Sequence, residues 1–322
     1  MEPLMTDRRG LLRQAAAAGL SFLLPGLSPA AAARRGADRP ASLIVLWMNG
    51  GMSQLETWDP HPGTLSGGLT KAISTSAQGV QISHLLPRMA EQMHQCLLIR
   101  SLHSKEGDHE KGAAFVRTGY NPEPTLAYPT LGSVIARQLP QASLQIPPYI
   151  LLNPRIPVPE GGYLGNEWNA FRVFRPGEKV ANLTASVPDQ RLQRRLQGLD
   201  VVGREFARRR PLAEQVTLQQ DLTRRAVQMM QSEQLAAFQL DDESAALQDS
   251  YGRTDFGRGC LVARRLVETG VRVVEVTLPG FDTHISNHEG HITQCQILDP
   301  AMSALLQDLQ QRGLLDETLV VW

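Results

Sequence analysis

Short apolar runs recur along the chain at the length of β-strands. Each has five to eight residues and is rich in Val, Ile and Leu. An apolar run without polar alternation is typical of a strand that is buried on both faces, as in a parallel sheet. The predicted strands are residues 42–48, 96–102, 148–152, 271–278 and 318–322.

Segments with helical character lie between these runs. They are residues 85–94, 112–117, 130–138, 211–248, 257–269 and 300–312. Gly270 and Gly313 follow the last two, as glycine commonly does at a helix end. Residues 153–190, rich in Pro, Gly and Asn, are expected to be irregular, and residues 211–248 to form a peripheral helical insertion without a sustained heptad. The alternation of strands and helices predicts an α/β domain, residues 42–322, with a doubly wound, mainly parallel sheet.

The N-terminus has the layout of a signal peptide over residues 1–33, followed by a basic linker over residues 34–41. Arg8 and Arg9 precede an apolar run, and small residues follow it at Ala30–Ala33. The arginine pair favours the twin-arginine export machinery as a partner, and hence a periplasmic or secreted protein. An ordinary secretory signal or an uncleaved anchor is the alternative. No later stretch reaches 18 apolar residues, so we expect no transmembrane span in the mature chain.

The overall charge excludes a general attraction to nucleic acid. The chain has 32 basic and 32 acidic residues, and only 5% of its residues are aromatic. A basic field and base-stacking rings are the usual features of nucleic-acid binding, so we expect no such partner. The three cysteines form no Cys-x-x-Cys pair and are expected to be packing residues.

Two polar clusters follow predicted strands. The first, residues 49–60, contains Asn49, two glycines, Ser53 and several carboxylates, and by spacing alone a tight turn with local caps explains it better than a site. The second contains His103, His109 and three carboxylates between residues 106 and 110. Imidazoles with carboxylates suit a transition metal or acid–base chemistry, although a solvated polar loop is the commoner case for such a mixture.

The third cluster is the sharpest metal-binding signal in the sequence. Asp282 and His284 follow the predicted strand 271–278, with His288 and His291 close behind. An Asp and a His two residues apart point the same way on an extended backbone, where carboxylate and imidazole can share one metal ion. A surface loop that happens to hold histidines is the alternative. The density of histidines favours the metal site.

Six segments of this chain resemble the bacterial domain-of-unknown-function family 1501. Among them are VLWMNGGMSQLETWDP, HEKGAAFVRTGYNP and GRGCLVARRLVETGVRVVEVTLPGFDTH, and together the six span nearly the whole chain in order. That family is grouped with alkaline phosphatases and sulfatases. The resemblance therefore implies an alkaline-phosphatase-like fold and hydrolysis of phosphate or sulfate esters, on small molecules or polysaccharides, at a two-metal site.

The resemblance also assigns roles to particular residues. It implies Asn49, Asp282 and His284 as ligands of divalent metal ions, with zinc, calcium, magnesium and manganese all open. It implies Ser53 or His109 as the catalytic residue nearest the reacting group. His109 stands where a sulfatase has its Cys or Ser nucleophile, so a non-catalytic binding or scaffolding module of the cell surface is the alternative.

The same resemblance predicts that the fold is incomplete at the C-terminus. The family usually continues past the strand TLVVW with further segments that are expected to supply the remaining metal ligands. On this basis we expect this chain to be an inactive fragment.

Overall fold

A five-stranded parallel sheet forms the centre of the computed structural model, which describes residues 42–155, 160–208 and 213–322. The predicted signal peptide and linker, and residues 211 and 212 of the predicted helical insertion, lie outside the described residues. The strands of the sheet, in chain order, are β1 Ser42–Met48, β4 Tyr149–Leu152, β5 Phe171–Val173, β6 Val273–Leu278 and β7 Thr318–Val321. Their spatial order is β5-β4-β6-β1-β7. A separate antiparallel hairpin joins β2 Ala72–Ser74 and β3 Gln81–Ser83.

The register brings the carboxyl ends of β1 and β6 side by side. Leu43 pairs with Val273 at one end of the two strands, and Met48 pairs with Leu278 at the other. All six residues of β6 are buried, as expected for a strand flanked by strands and covered on both faces. The loops that leave β1 and β6 therefore start from neighbouring points on one edge of the sheet, where ligands usually bind in open α/β folds.

Helices cover both faces of this sheet. The α-helices are α1 Pro87–Gln92, α2 His109–Thr118, α3 Leu131–Gln138, α4 Asp189–Arg208, α5 Ala213–Met230, α6 Ala245–Tyr251, α7 Asp255–Thr269 and α8 Asn287–Gln311. Short 3₁₀ turns occupy Met93–Gln95, Gly162–Leu164, Asn166–Trp168, Glu233–Phe238 and Leu315–Glu317.

The two faces of the sheet belong to separate apolar cores. The larger core joins Val274 and Val276 of β6 to side chains of α7 and α8, such as Leu266 and Leu305. The smaller core lies on the opposite face, where Val273 packs with side chains of β4 and α3. Alternation along β6 places Glu275 on the same face as Val273.

Four of the five predicted strands are confirmed, and the one at 96–102 is wrong. Residues 96–102 form no strand, and Leu97, Ile99 and Leu102 are exposed to solvent. The apolar pattern was right for a strand, but the segment has no strand partner in the described sheet. β5, conversely, lies inside the region 153–190 that was expected to be irregular.

The helical predictions were right in place and less accurate in extent. α7 ends at Thr269, and Gly270 caps it in the left-handed conformation, as predicted. α8 begins at Asn287 and contains Pro300, which was taken as its start. Burial of His291, Cys295 and Leu298 before the proline stabilises the extra turns, although proline removes one backbone hydrogen bond. α4 was not predicted.

A buried arginine joins α7 to its surroundings. The guanidinium of Arg264, 1% exposed, donates to carboxylates of Glu243 at 2.6 Å and Glu268 at 2.7 Å. Its Nε lies 2.9 Å from Asp308 of α8, which also accepts from the hydroxyl of Tyr251. The network ties α6, α7 and α8 together beneath the sheet.

Among the helices in the described ranges, none combines the length and the apolar character needed to cross a membrane.

Candidate metal site

The loops after β1 and β6 are in direct backbone contact. The amide of Asn49 donates to the carbonyl of Leu278 at 2.9 Å, and the amide of Phe281 donates to the carbonyl of Asn49 at 3.2 Å. Gly50 has a φ of +111°, and a Cβ there would lie 2.4 Å from the backbone nitrogen of Asp282. Only glycine combines this backbone conformation with such a close approach, so Gly50 holds the β1 turn against Asp282.

Three side chains that come from two parts of the chain meet at this edge. Both His109 and His284 point their Nε2 atoms at the same carboxylate oxygen, Oδ1 of Asp282. The distances are 3.2 Å from His109 and 2.8 Å from His284, and one ligand atom of each residue lies within 4.8 Å of the others. His109 is the first residue of α2, whereas the other two belong to the loop after β6.

The histidines favour the ionised form of Asp282. Desolvation by neighbouring atoms acts to raise its pKa, but hydrogen bonds from His284 and His109 and the charge of their protonated rings outweigh this effect. The pKa of Asp282 therefore lies below its ordinary value of 3.8. All three side chains are exposed, so solvent reaches the cluster freely.

Contacts with α8 fix the loop that carries Asp282 and His284. The hydroxyl of Thr283 donates to Oδ1 of Asn287 at 2.7 Å, at the first turn of the helix. A Cβ on Gly290 would lie 2.6 Å from the methyl carbon of Thr283, so the loop packs directly on the backbone of α8. The loop is thus supported from below by a long, largely buried helix.

The start of α2 is set by a side-chain cap. The carboxylate of Asp108 accepts a hydrogen bond from the amide of Lys111 at 2.9 Å, which is the usual N-cap arrangement. Gly119 ends the helix in the left-handed conformation. The cap leaves His109 at the first helical position, facing the loop after β6.

The other end of α2 is attached to the interior of the sheet. Nη2 of Arg117 lies 2.5 Å from Oε1 of Glu275 in β6, and both side chains are less than 10% exposed. The guanidinium also lies 3.9 Å from the ring centroid of Trp47, and the hydroxyl of Tyr149 donates to Oε2 of Glu275 at 3.3 Å. Burial raises the pKa of Glu275, which Arg117 and Tyr149 only partly offset.

The remaining predicted residues lie around the cluster in other roles. Oδ1 of Asn49 accepts from the indole of Trp47 at 3.3 Å. The amide of Ser53 donates to Nε2 of His291 at 2.9 Å, and Nδ1 of that fully buried ring lies 2.8 Å from the carbonyl of Asn287. This assigns the proton to Nδ1 and makes His291 a bridge between the β1 turn and α8.

Two further histidines from the predicted clusters lie elsewhere on the surface. The ring of His288 stacks against that of His84, with centroids 6.3 Å apart. His103 is exposed, and its Nδ1 lies 3.3 Å from the carbonyl of Ser101. The structure therefore draws one residue from the second cluster, His109, and two from the third, Asp282 and His284, into a single group.

The geometry of this group resembles that of a metal coordination shell. A tetrahedral zinc site with bonds of 2.0–2.1 Å has ligand atoms about 3.3 Å apart. The separation of 3.2 Å between Oδ1 of Asp282 and His109 is close to that spacing, and the separation of 2.8 Å to His284 is shorter. Two imidazoles and one carboxylate leave one tetrahedral position for water or substrate, as in catalytic rather than structural zinc sites.

Comparison with known protein families shows which family the chain belongs to. A family model described as "Protein of unknown function (DUF1501)" matches residues 40–322. The chain belongs to this family. No curated protein and no solved structure matches it. The family description names no activity, so membership in DUF1501 confirms the resemblance found in the sequence and leaves the chemistry to be argued from the site.

Sequence reasoning on this DUF1501 chain missed the residues that hold α2 in place. Glu275 is a single acidic residue within the run VRVVEVTL, and Arg117 is one arginine in a short helix. A charged residue inside an otherwise apolar buried strand is itself a signal, because such a charge needs a partner. The sequence did not indicate which of its many arginines supplies that partner.

Proposed function

We propose that the complete protein is an exported, metal-dependent hydrolase of phosphate or sulfate esters. The observation that carries the proposal is the convergence of His109, Asp282 and His284 at the edge of the sheet. These residues come from distant parts of the sequence, and one ligand atom of each lies within 4.8 Å of the others, close enough to share one cation. The family's grouping with alkaline phosphatases and sulfatases, with the fold that it implies, supports the same class of reaction.

Among the four divalent cations left open by the sequence, the donor set favours zinc. Imidazole nitrogen suits zinc, whereas calcium and magnesium prefer oxygen ligands, and manganese is closer to these two. When bound, such a cation would activate a coordinated water and polarise an ester oxygen. His109 and His284 would bind through Nε2 and Asp282 through a carboxylate oxygen.

The chain's own residues would then organise the remaining chemistry. Before a cation binds, Asp282 holds both imidazoles in place through their Nε2 atoms, and Gly50 holds the β1 turn against Asp282. We propose Ser53 as the hydroxyl nearest the reacting ester and Asn49 as a neutral oxygen ligand for a second cation. Export by the twin-arginine machinery would place this site in the periplasm or outside the cell, where it meets small-molecule or polysaccharide esters.

One observation favours a second function, a non-catalytic binding module of the cell surface. By the resemblance, His109 stands where a sulfatase has its nucleophile, and its Nε2 lies 3.2 Å from Oδ1 of Asp282. A site that binds a metal ion without an activated nucleophile could recognise an anionic ligand and leave it intact.

The test separates metal binding from turnover. We expect the three-residue cluster to bind about one zinc ion per chain by calorimetric titration, more tightly than any second cation at Asn49, and we expect loss of this affinity in His109→Ala, Asp282→Ala and His284→Ala. His103→Ala is the matched control, since it removes another exposed histidine and should bind zinc as the wild type does. Hydrolysis of p-nitrophenyl phosphate and p-nitrophenyl sulfate is then measured in a family member that carries the further segments expected after the strand TLVVW.

The outcomes distinguish the two functions. Zinc binding with hydrolysis that the three ligand variants abolish supports the hydrolase. Zinc binding without hydrolysis of either ester favours the binding module. A wild-type chain that binds no zinc contradicts both.

A further inference from the structure

The way in which α2 is attached to the sheet bears on the proposed metal site. The role inferred here for that attachment rests on the proposed function. α2 supplies one of the three ligands, but none of its ten residues, all of them described, belongs to the buried core. The helix is therefore not held in place by a deeply inserted apolar face, as most surface helices are. The half-buried residues in its middle give weaker support, so the contacts at its two ends contribute strongly to its position.

Those two contacts are made to the same strand and its loop. At the first residue of α2, His109 contacts Asp282, four residues beyond the end of β6. At the ninth residue, Arg117 pairs with Glu275 within β6. Eight helical steps span about 12 Å, so a straight helix links the interior of the sheet to its edge. A shift at Arg117 is transmitted to His109 through this rigid segment.

The Arg117 contact has the features of a specific anchor rather than of a surface ion pair. Both charged groups are nearly excluded from water, and Trp47 covers the guanidinium at cation–π distance. Tyr149 satisfies the second carboxylate oxygen of Glu275. An arginine in this setting is fixed in direction as well as in position, because its planar group contacts a carboxylate and a ring together.

We propose that Arg117 is a positioning residue of the metal site, which places His109 against Asp282 by anchoring α2 to Glu275. Arg117 itself does not touch the metal. Its removal should therefore weaken metal binding through His109 alone, and leave the contributions of Asp282 and His284 intact.

The test is a mutant cycle between the anchor and the ligand. The double variant Arg117→Met/Glu275→Gln removes both charges and leaves no unpaired buried charge. We expect its zinc affinity to fall at least about tenfold, to the level of His109→Ala. His109→Ala should weaken zinc binding in the wild type and have no further effect in the double variant. Lys111→Met, which removes an exposed cation from the same helix, is the control and should bind as the wild type does.

Cobalt substitution gives a readout that a general loss of stability does not change. The visible absorption of the Co²⁺ form reports the number and type of ligands, so the spectrum of the double variant should match that of His109→Ala. Equal effects of His109→Ala in both backgrounds, or wild-type affinity in the double variant, would overturn the proposal. If the double variant does not fold by circular dichroism, Arg117→Lys replaces it. An intermediate affinity in that variant supports the anchor, and an unchanged one contradicts it.

A second measurement keeps the inference separate from the proposed function. If the wild-type chain binds no zinc, the proposed function fails, and amide hydrogen exchange in the metal-free protein decides about the anchor. Faster exchange over residues 109–118 in the double variant, with unchanged exchange in α7, supports the role of Arg117 in placing α2. Unchanged exchange over residues 109–118 overturns it.

Discussion

At the scale of single residues, the candidate site depends on how closely backbone segments approach each other as much as on the chemistry of its side chains. Asp282 and His284 were predicted from their spacing, because two residues apart on extended backbone is a local relation that a sequence displays. His109 was also recognised, but in a different cluster, more than 170 positions away from Asp282 in the chain. Only the placement of α2 against β6 and its loop brings it to the others, and this placement is not written in local sequence.

Gly50 gives a prediction at this scale. An unfavourable φ alone costs about 1–3 kcal/mol. Gly50→Ala should lower the free energy of unfolding by more than this, because the added Cβ would also collide with the backbone nitrogen of Asp282. Gly51→Ala is the matched control, since Gly51 also has a positive φ but nothing lies within 4 Å of its Cβ position. Urea denaturation measures both. Equal losses in the two variants would show that the contact with Asp282 has no energetic role.

At the scale of elements, apolar pattern alone separates buried strands poorly from other extended segments. Residues 42–48 and 96–102 have similar composition, yet the first is β1, in the sheet interior, and the second has three exposed apolar side chains. The two segments differ in that β1 has neighbouring strands to hydrogen-bond with, and the order of apolar residues along the chain does not encode such partners. The start of α8 was missed for a similar reason, because packing on the core outweighs the local preference of proline for a first turn.

Arg264 gives a prediction at the scale of elements. Arg264→Met should lower the free energy of unfolding by about 1.5–3 kcal/mol, because Glu243 and Asp308 each lose a charged hydrogen-bond donor. Arg265 and Arg312 remain beside these two carboxylates and limit the loss. Arg258→Met, in the same helix, removes a more exposed arginine paired with Asp255 and should cost less than about 1 kcal/mol. Denaturant titration of both variants measures the difference. A loss for Arg264→Met as small as that of Arg258→Met would mean that the network does not hold α6, α7 and α8 together.

At the scale of the whole molecule, the fold class followed from the alternation of strands and helices, and the structure confirms an α/β protein with a parallel sheet. The arrangement of the strands, β5-β4-β6-β1-β7, did not follow from the sequence. Strand order depends on which loops can cross the sheet, and several orders share one apolar pattern.

The proposed metal site gives a prediction for the stability of the whole chain. Zinc at about 100 times its dissociation constant should raise the free energy of unfolding by about 2.7 kcal/mol, because only the folded chain brings the three ligands together. Asp282→Ala should remove this gain. The increase should also disappear in acid, since the imidazoles must lose their protons to bind the metal. Thermal unfolding with and without zinc, at pH 7.5 and pH 5, measures the effect. Equal zinc-induced shifts in the unfolding temperature of the wild type and Asp282→Ala would contradict the proposed site.

The buried Glu275 also has a consequence for how two parts of the molecule depend on each other. An ionised carboxylate is costly in the apolar interior without a partner, so the face of the sheet that bears Glu275 is most stable when Arg117 of α2 is in place. The same helix carries His109 at the edge of the sheet. One layer of the core and the ligand set are therefore thermodynamically coupled, and a change that destabilises one is expected to destabilise the other.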